Sequence, residues 1–295
     1  MKVWRFAVLI VLLSCAIAAS ADDAKNPPIL RTGSFDVQSI KDIAYDDAKD
    51  ADPVRHRLDL YLPKGHKDFP VLMFVHGGAW TSGNKNLYGP LGQRFAANGI
   101  GTVIINYRLS PAVQHPAHAQ DVAKAFAWTH KNIGKQGGRA DQIFISGHSA
   151  GGHLVALLAT DESYLKAHEL AISDIKGVLP LSGVYTILPS KLSERAFSKD
   201  LEVCKNASPM THVNGKHPPC LVIYADKDYT GIGRTSETFG KKLKGAGCVA
   251  DVVEIKDRTH ISIIVGVAKQ DDPTMQAMLG FIARHTDLKL QPVVK

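Results

Sequence analysis

Short apolar runs alternate with amphipathic stretches along this chain, regularly enough to assign elements. His56-Arg57-Leu58-Asp59-Leu60-Tyr61-Leu62 alternates polar and apolar residues, the period of a half-buried strand near a sheet edge, and Pro63-Lys64-Gly65 ends it. Residues 70–75 are continuously apolar and residues 102–107 nearly so, as suits strands covered on both faces. Between them a helix is expected over 91–97, stopped by Asn98-Gly99. Residues 118–132 place Val122, Ala125, Phe126 and Trp128 at helical spacing. A strand at 143–145 runs straight into a helix from Ala150, and short strands follow at 178–181 and 221–224. A helix through 239–243, a strand over 249–255 and a helix over 274–285 complete the pattern. The alternation predicts an α/β fold, a mostly parallel central sheet with helices on both faces. In such sheets the reactive loops gather at the carboxyl ends of the strands.

The first residues follow a different pattern. Lys2 and Arg5 precede an apolar run over 6–18, and Ala19-Ser20-Ala21 supplies a small-x-small site before Asp22-Asp23. That order predicts a signal peptide over 1–21 and an exported protein, periplasmic or secreted. The run is shorter than the roughly 20 residues of a membrane span, and no later segment is apolar enough for one. Leu12-Leu13-Ser14-Cys15 faintly resembles a lipoprotein cleavage box, but the apolar segment continues past Cys15, which weighs against lipid attachment. Residues 22–34 read as a polar, Pro-containing flexible lead-in. With no repeat or linker in mid-chain, residues 35–290 read as a single catalytic domain.

Composition narrows the function. The 295 residues are 45% hydrophobic and 21% charged with net charge +7, yet Lys and Arg are spread out with no dense basic block, which argues against nucleic-acid binding. Cys204, Cys220 and Cys248 match no zinc spacing, and sequence leaves open whether two of them pair. No metal or cofactor is called for, and the oligomeric state is open.

The chemistry lies just past the strand ends. Gly147-His148-Ser149-Ala150-Gly151 follows the strand at 143 and opens the next helix. Gly-x-Ser-x-Gly alone is weak, but strand, tight turn and helix in that order is the setting of a nucleophile elbow presenting the Ser149 hydroxyl. A serine needs a base, and the base an orienting acid. Asp226 and Asp228 both follow the strand at 221, and spacing does not separate them. His260 follows the last strand and is the last histidine before the C-terminal helix, the position for the base. Past the strand at 70–75 comes His76-Gly77-Gly78-Ala79-Trp80. Its glycines let backbone N–H groups, at Gly78 and Ala79, converge on an oxyanion together with the N–H of Ala150. His76 reads as a residue that holds this loop. Trp80 reads equally as the floor of a substrate pocket or as core.

Together, His76-Gly77-Gly78-Ala79-Trp80, Asn106-Tyr107-Arg108-Leu109-Ser110-Pro111 and Gly147-His148-Ser149-Ala150-Gly151-Gly152-His153-Leu154 resemble the esterase branch of the α/β-hydrolases. They are similar to the hormone-sensitive-lipase-like carboxylesterases, and closer to the kynurenine formamidase and feruloyl/acetyl-xylan esterase group. The resemblance covers roughly residues 55–285 and implies an α/β-hydrolase fold with a small cap or none. It implies a Ser149–Asp228–His260 triad: the group's Gly-x-x-Asp turn matches Ala225-Asp226-Lys227-Asp228 with Ala225 for the glycine, favouring Asp228. The implied activity is hydrolysis of small acyl esters. The alternatives are an arylformamidase cleaving an N-formyl arylamine with the same residues, and a non-catalytic hydrolase-fold binding protein. A peptidase is disfavoured, because no propeller-like repeats precede the domain. Export and the short segment between 181 and 221 favour small or polar external esters.

Overall fold

The computed structural model describes residues 29–191 and 193–292. The expected signal peptide and the first residues of the lead-in fall outside them. Ten strands are described: β1 (Leu30–Arg31), β2 (Val37–Ala44), β3 (Arg57–Pro63), β4 (Phe69–Val75), β5 (Gly101–Ile105), β6 (Gly138–His148), β7 (Gly177–Leu181), β8 (Cys220–Lys227), β9 (Ala250–Thr259) and β10 (Gln291–Pro292). Eight helices accompany them: α1 (Gly89–Ala97), α2 (Ala117–Asn132), α3 (Ala150–Thr160), α4 (Ser163–Lys166), α5 (Leu201–Asn206), α6 (Ile232–Gly245), α7 (Ser262–Gly266) and α8 (Pro273–Arg284). Strands β2 to β9 form one sheet in the order β2-β3-β5-β4-β6-β7-β8-β9. The pairs β2/β3 and β3/β5 are antiparallel and the rest are parallel.

The continuous apolar runs became the central strands for the expected reason. Every residue of β4, β5 and β7 is buried, because helices cover both faces. On one face α2 and α3 bring Val122, Phe126, Leu154 and Leu158 against Val71, Met73, Ile143 and Ile145. On the other, α1 and α8 bring Leu91, Phe95, Met278 and Phe281 against Leu72, Phe74, Phe144 and Leu221. Among the described residues, no helix is long and apolar enough to cross a membrane.

Two expectations need correction. The strand at 56–62 lies near the sheet edge as expected, one strand in from β2, but it is not half-buried: β3 is nearly all buried. Its polar position Asp59 is fully buried because Lys85 Nζ reaches it at 2.6 Å, Lys41 Nζ at 3.0 Å and the Asp42 N–H at 2.9 Å. Alternation therefore reflected a buried ion cluster, not water. Nor is all of the lead-in loose. Leu30–Arg31 pairs with Gln291–Pro292, and the Leu30 N–H donates to Gln276 Oε1 at 2.7 Å, so the two ends of the domain are tied together.

The core also holds neutral histidines. Burial pushes His76, His115, His118 and His148 down to about 4, and His153 to about 3, from 6.5. Unfolded, these rings take up protons near pH 6.5; folded, they refuse them until about pH 4. Between those limits the unfolded chain binds more protons, so stability is fully present above about pH 7 and falls as pH drops. Urea unfolding of the purified protein should lose on the order of several kcal/mol between pH 7 and pH 5. A midpoint that stays flat over that interval would contradict the burial of these rings.

Candidate active site

Ser149 stands between β6 and α3 with φ 56° and ψ −115°, a conformation rare for a residue with a Cβ. The surrounding backbone enforces it. The Ser149 N–H donates to the Leu181 carbonyl at 2.9 Å, and β6 is paired with β4 on one side and β7 on the other. Gly151 lets α3 close over the sheet: a Cβ there would lie 2.1 Å from the Val75 carbonyl oxygen. The serine is thereby lifted above the carboxyl ends of the strands, at the first turn of α3.

Asp228, just past β8, meets His260, just past β9. His260 Nδ1 donates to Asp228 Oδ1 at 2.6 Å. Three further donors reach the same carboxylate: Ser182 Oγ at 2.5 Å, the Tyr229 N–H at 2.8 Å and the Ala225 N–H at 3.2 Å. Burial pushes this carboxyl up, but the hydrogen bonds from His260, Ser182 and the two backbone groups outweigh it and hold it below the usual carboxylate range. Asp226, two residues earlier, accepts the Arg258 N–H at 3.0 Å and turns away from the histidine. The geometry thus separates two aspartates that spacing could not.

The His260 ring is held on both faces. His148 packs on one, with ring centroids 4.7 Å apart, and donates Nε2–H to the His260 carbonyl at 2.7 Å. Tyr229 stacks on the other at 4.1 Å, nearly parallel. Ser149 and His260 face the same cavity of about 670 Å³ without a direct hydrogen bond between them in this conformation. Such contacts often tighten only around substrate.

The loop after β4 borders that cavity too. Gly78, Ala79 and Trp80 all have positive φ (120°, 50° and 60°). The Gly78 carbonyl turns inward to accept from the N–H groups of Thr81 at 3.1 Å and Ser82 at 2.9 Å. A Cβ on Gly78 would strike the Ser82 carbonyl oxygen at 2.2 Å, so only glycine fits. The N–H groups of Gly78 and Ala79 find no acceptor among the described residues, nor does that of Ala150 at the start of α3. His76 braces the loop from beneath, donating Nδ1–H to the Gly77 carbonyl at 2.7 Å and stacking on Tyr107.

Trp80 does not line the cavity. It is buried, donates its indole N–H to His153 Nδ1 at 3.2 Å and meets Phe197 edge-on. It belongs to the support of the loop and not to a pocket floor. Sequence reasoning gave no role to Ser182, His148 and Tyr229. Ser182 lies just past β7, where the strand-end rule would have found it; the other two flank residues already singled out. A larger groove of about 740 Å³ lies at the opposite end of the sheet, around Lys176, Lys216, His217 and Arg284. Among the described residues that line it, no hydroxyl is hydrogen-bonded to a histidine. Among the described residues no cluster of His, Cys, Asp or Glu is arranged to hold a metal, and Cys204, Cys220 and Cys248 are free thiols.

Comparison with known proteins supports the same fold. Esterase LipQ of Mycobacterium tuberculosis is 35% identical over 195 residues, covering 60% of this chain and 46% of that protein. Probable isoprenylcysteine alpha-carbonyl methylesterase ICME of Oryza sativa subsp. japonica is 29% identical over 264 residues, covering 81% of this chain and 63% of that protein. The chain spans about half the length of the curated relatives it matches. Among solved structures, a truncated carbohydrate esterase from gut microbiota superposes with a TM-score of 0.73 at 23% identity, covering 85% of this chain and 97% of that one. Esterase B of Lactobacillus rhamnosis does so with a TM-score of 0.72 at 20% identity, covering 87% of each chain. Residues 58–243, from β3 to near the end of α6, match the BD-FAE family, and the chain belongs to that family, on an α/β-hydrolase fold.

Proposed function

We propose that this protein hydrolyses carboxylic esters by a Ser149–His260–Asp228 triad through an acyl-enzyme. The observation that carries the reading is the 2.6 Å bond from His260 to a buried Asp228, with His260 and Ser149 on one cavity. Asp228 fixes the tautomer with the proton on Nδ1, leaving Nε2 as the base. His260 takes the proton of Ser149 as Oγ attacks the ester carbonyl. The tetrahedral oxyanion that forms is received by the N–H groups of Gly78, Ala79 and Ala150. They need not reorganise, because the loop already leaves them without acceptors. The imidazolium returns its proton to the departing alcohol. Water, activated by the same ring, then releases the acid. Relatives named as esterases, LipQ among them, favour ester hydrolysis.

The cavity also weighs against an N-formylkynurenine-type substrate. That molecule carries an α-carboxylate and an α-ammonium, which need charged partners in a partly desolvated site. Among the described residues no Asp, Glu, Lys or Arg lines the cavity, and burial keeps His148 neutral near pH 7. We further propose export, on the pattern of residues 1–21.

Three results are expected. Ser149→Ala should abolish turnover of 4-nitrophenyl esters, and Asp228→Asn, which favours the wrong tautomer, should lower kcat by roughly 10³–10⁴-fold with the fold intact by circular dichroism. Retention of more than a tenth of wild-type rate by either variant would exclude the triad. N-formylkynurenine should be cleaved far more slowly than 4-nitrophenyl butyrate at equal concentration; the reverse ranking would restore the formamidase reading. N-terminal sequencing of the protein recovered from its host should begin at Asp22, and an intact Met1 would contradict export.

A further inference from the structure

Eight large hydrophobic side chains are conspicuously exposed among the described residues, and four of them border the mouth of the Ser149 cavity: Leu87 (72% exposed), Val265 (65%), Tyr229 (62%) and Ile261 (55%). Single exposed leucines need no explanation, but clustering around one opening does. Behind this rim the walls stay apolar, with Tyr88, Pro90 and Leu91 on one side and Ile264 and Ala268 on the other.

Both walls are held in place by polar anchors. On the Leu87 side, the turn over Lys85–Tyr88 is nailed down by the buried Lys85, whose Nζ lies 2.6 Å from both Asp42 and Asp59. Asn84 caps the same turn, its side chain accepting the Asn86 N–H. Leu87 is therefore presented outward by a rigid base. On the other side, α7 carries Val265, with Ile261 at its N-cap. Ser262 Oγ accepts the Thr259 N–H at 2.8 Å, and Arg258 pairs with Asp272 at 2.6 Å. Among the described residues between 182 and 217, none lines the cavity, so they do not cover the apolar rim.

Resting on the ester-hydrolase reading above, we infer that the site is built for uncharged esters whose apolar chain runs from Ser149 out between Leu87 and the Ile261–Val265 wall. Chains of hexanoyl to decanoyl length fit this class. Acetyl groups on a polar sugar do not, since they leave the rim unused. This reverses the expectation of small or polar esters drawn from the short segment after β7. That argument weighed only what could cover the cavity, not what lines it. The driving force is burial of apolar surface, and each methylene placed between the walls should raise kcat/KM by about threefold to fourfold.

The test is a chain-length series in two arms. One lengthens the acyl group (4-nitrophenyl acetate, butyrate, hexanoate, octanoate); the other lengthens the alcohol (ethyl, butyl, hexyl and octyl acetate). Wild type is compared with Leu87→Ser, Val265→Ser and the double variant. Both residues are exposed, so folding should survive, which thermal melting checks. A rise in kcat/KM with length is expected in at least one arm, and the arm that rises tells which half of the ester occupies the rim. The double variant should lower the ratio of the longest to the shortest ester in that arm by about tenfold or more. Falling rates with length in both arms, or an unchanged ratio in the double variant, would overturn the inference. So would a double variant that keeps the ratio and instead dissociates an oligomer in sedimentation, which would make the rim a contact between copies. Absence of turnover on every ester, acetate included, would sink the ester reading itself and is distinguishable from these results.

Discussion

The site depends on one close approach, that of α3 to the end of β4. Only because Gly151 has no Cβ can the first turn of α3 settle against the Val75 carbonyl. That contact forces the chain between β6 and α3 to turn within a single residue, and Ser149 absorbs the turn at φ 56°. Holding a non-glycine residue there costs on the order of 1–3 kcal/mol. The cost is met by the sheet on both sides, where β6 pairs with β4 and β7. The same approach sets the Ala150 N–H beside the loop that follows β4, so the proposed nucleophile and the proposed oxyanion donors share one geometric cause. The loop that carries two of them is tied back on itself by the Thr81 and Ser82 N–H groups on the Gly78 carbonyl.

The electrostatics are divided by place. Around Asp228 the structure concentrates donors: four hydrogen bonds keep a buried carboxylate charged and aimed at His260. A few ångströms away, no Asp, Glu, Lys or Arg among the described residues lines the cavity. A carboxylate in such a neighbourhood would drift toward neutrality without its hydrogen bonds. Ser182, set by its own positive φ of 47° at the end of β7, supplies one of them from an adjacent strand. The support of the Asp228 carboxylate is thus shared between its own turn, through the Ala225 and Tyr229 N–H groups, and a tertiary contact from Ser182.

That distinction also explains what the sequence disclosed. The strands buried on both faces were legible because β4, β5 and β7 carry no polar side chain that must be explained except Thr102. Ser149 could be located because it follows directly on the buried end of β6, and His260 because it follows the last strand, β9, although that edge strand is largely exposed. The choice of Asp228 over Asp226 was open on spacing, since it turns on which carboxylate faces a histidine thirty-odd residues later. β2 went unseen because two of every three of its side chains face solvent and no apolar run marks it. Trp80 could be read two ways because its partner His153 lies on another element. The misjudged burial of β3 has the same origin: Asp59 looks like a solvent-facing position until Lys85 is brought to it.

The central claim is that the strained Ser149 is the reacting group. It is tested most directly by incubating the purified protein with an alkyl fluorophosphonate and mapping the adduct by peptide mass spectrometry. The account predicts one adduct per chain, on Ser149, with activity lost in proportion to labelling. An unlabelled Ser149 in folded protein, or loss of activity tracking an adduct at another residue, would contradict it.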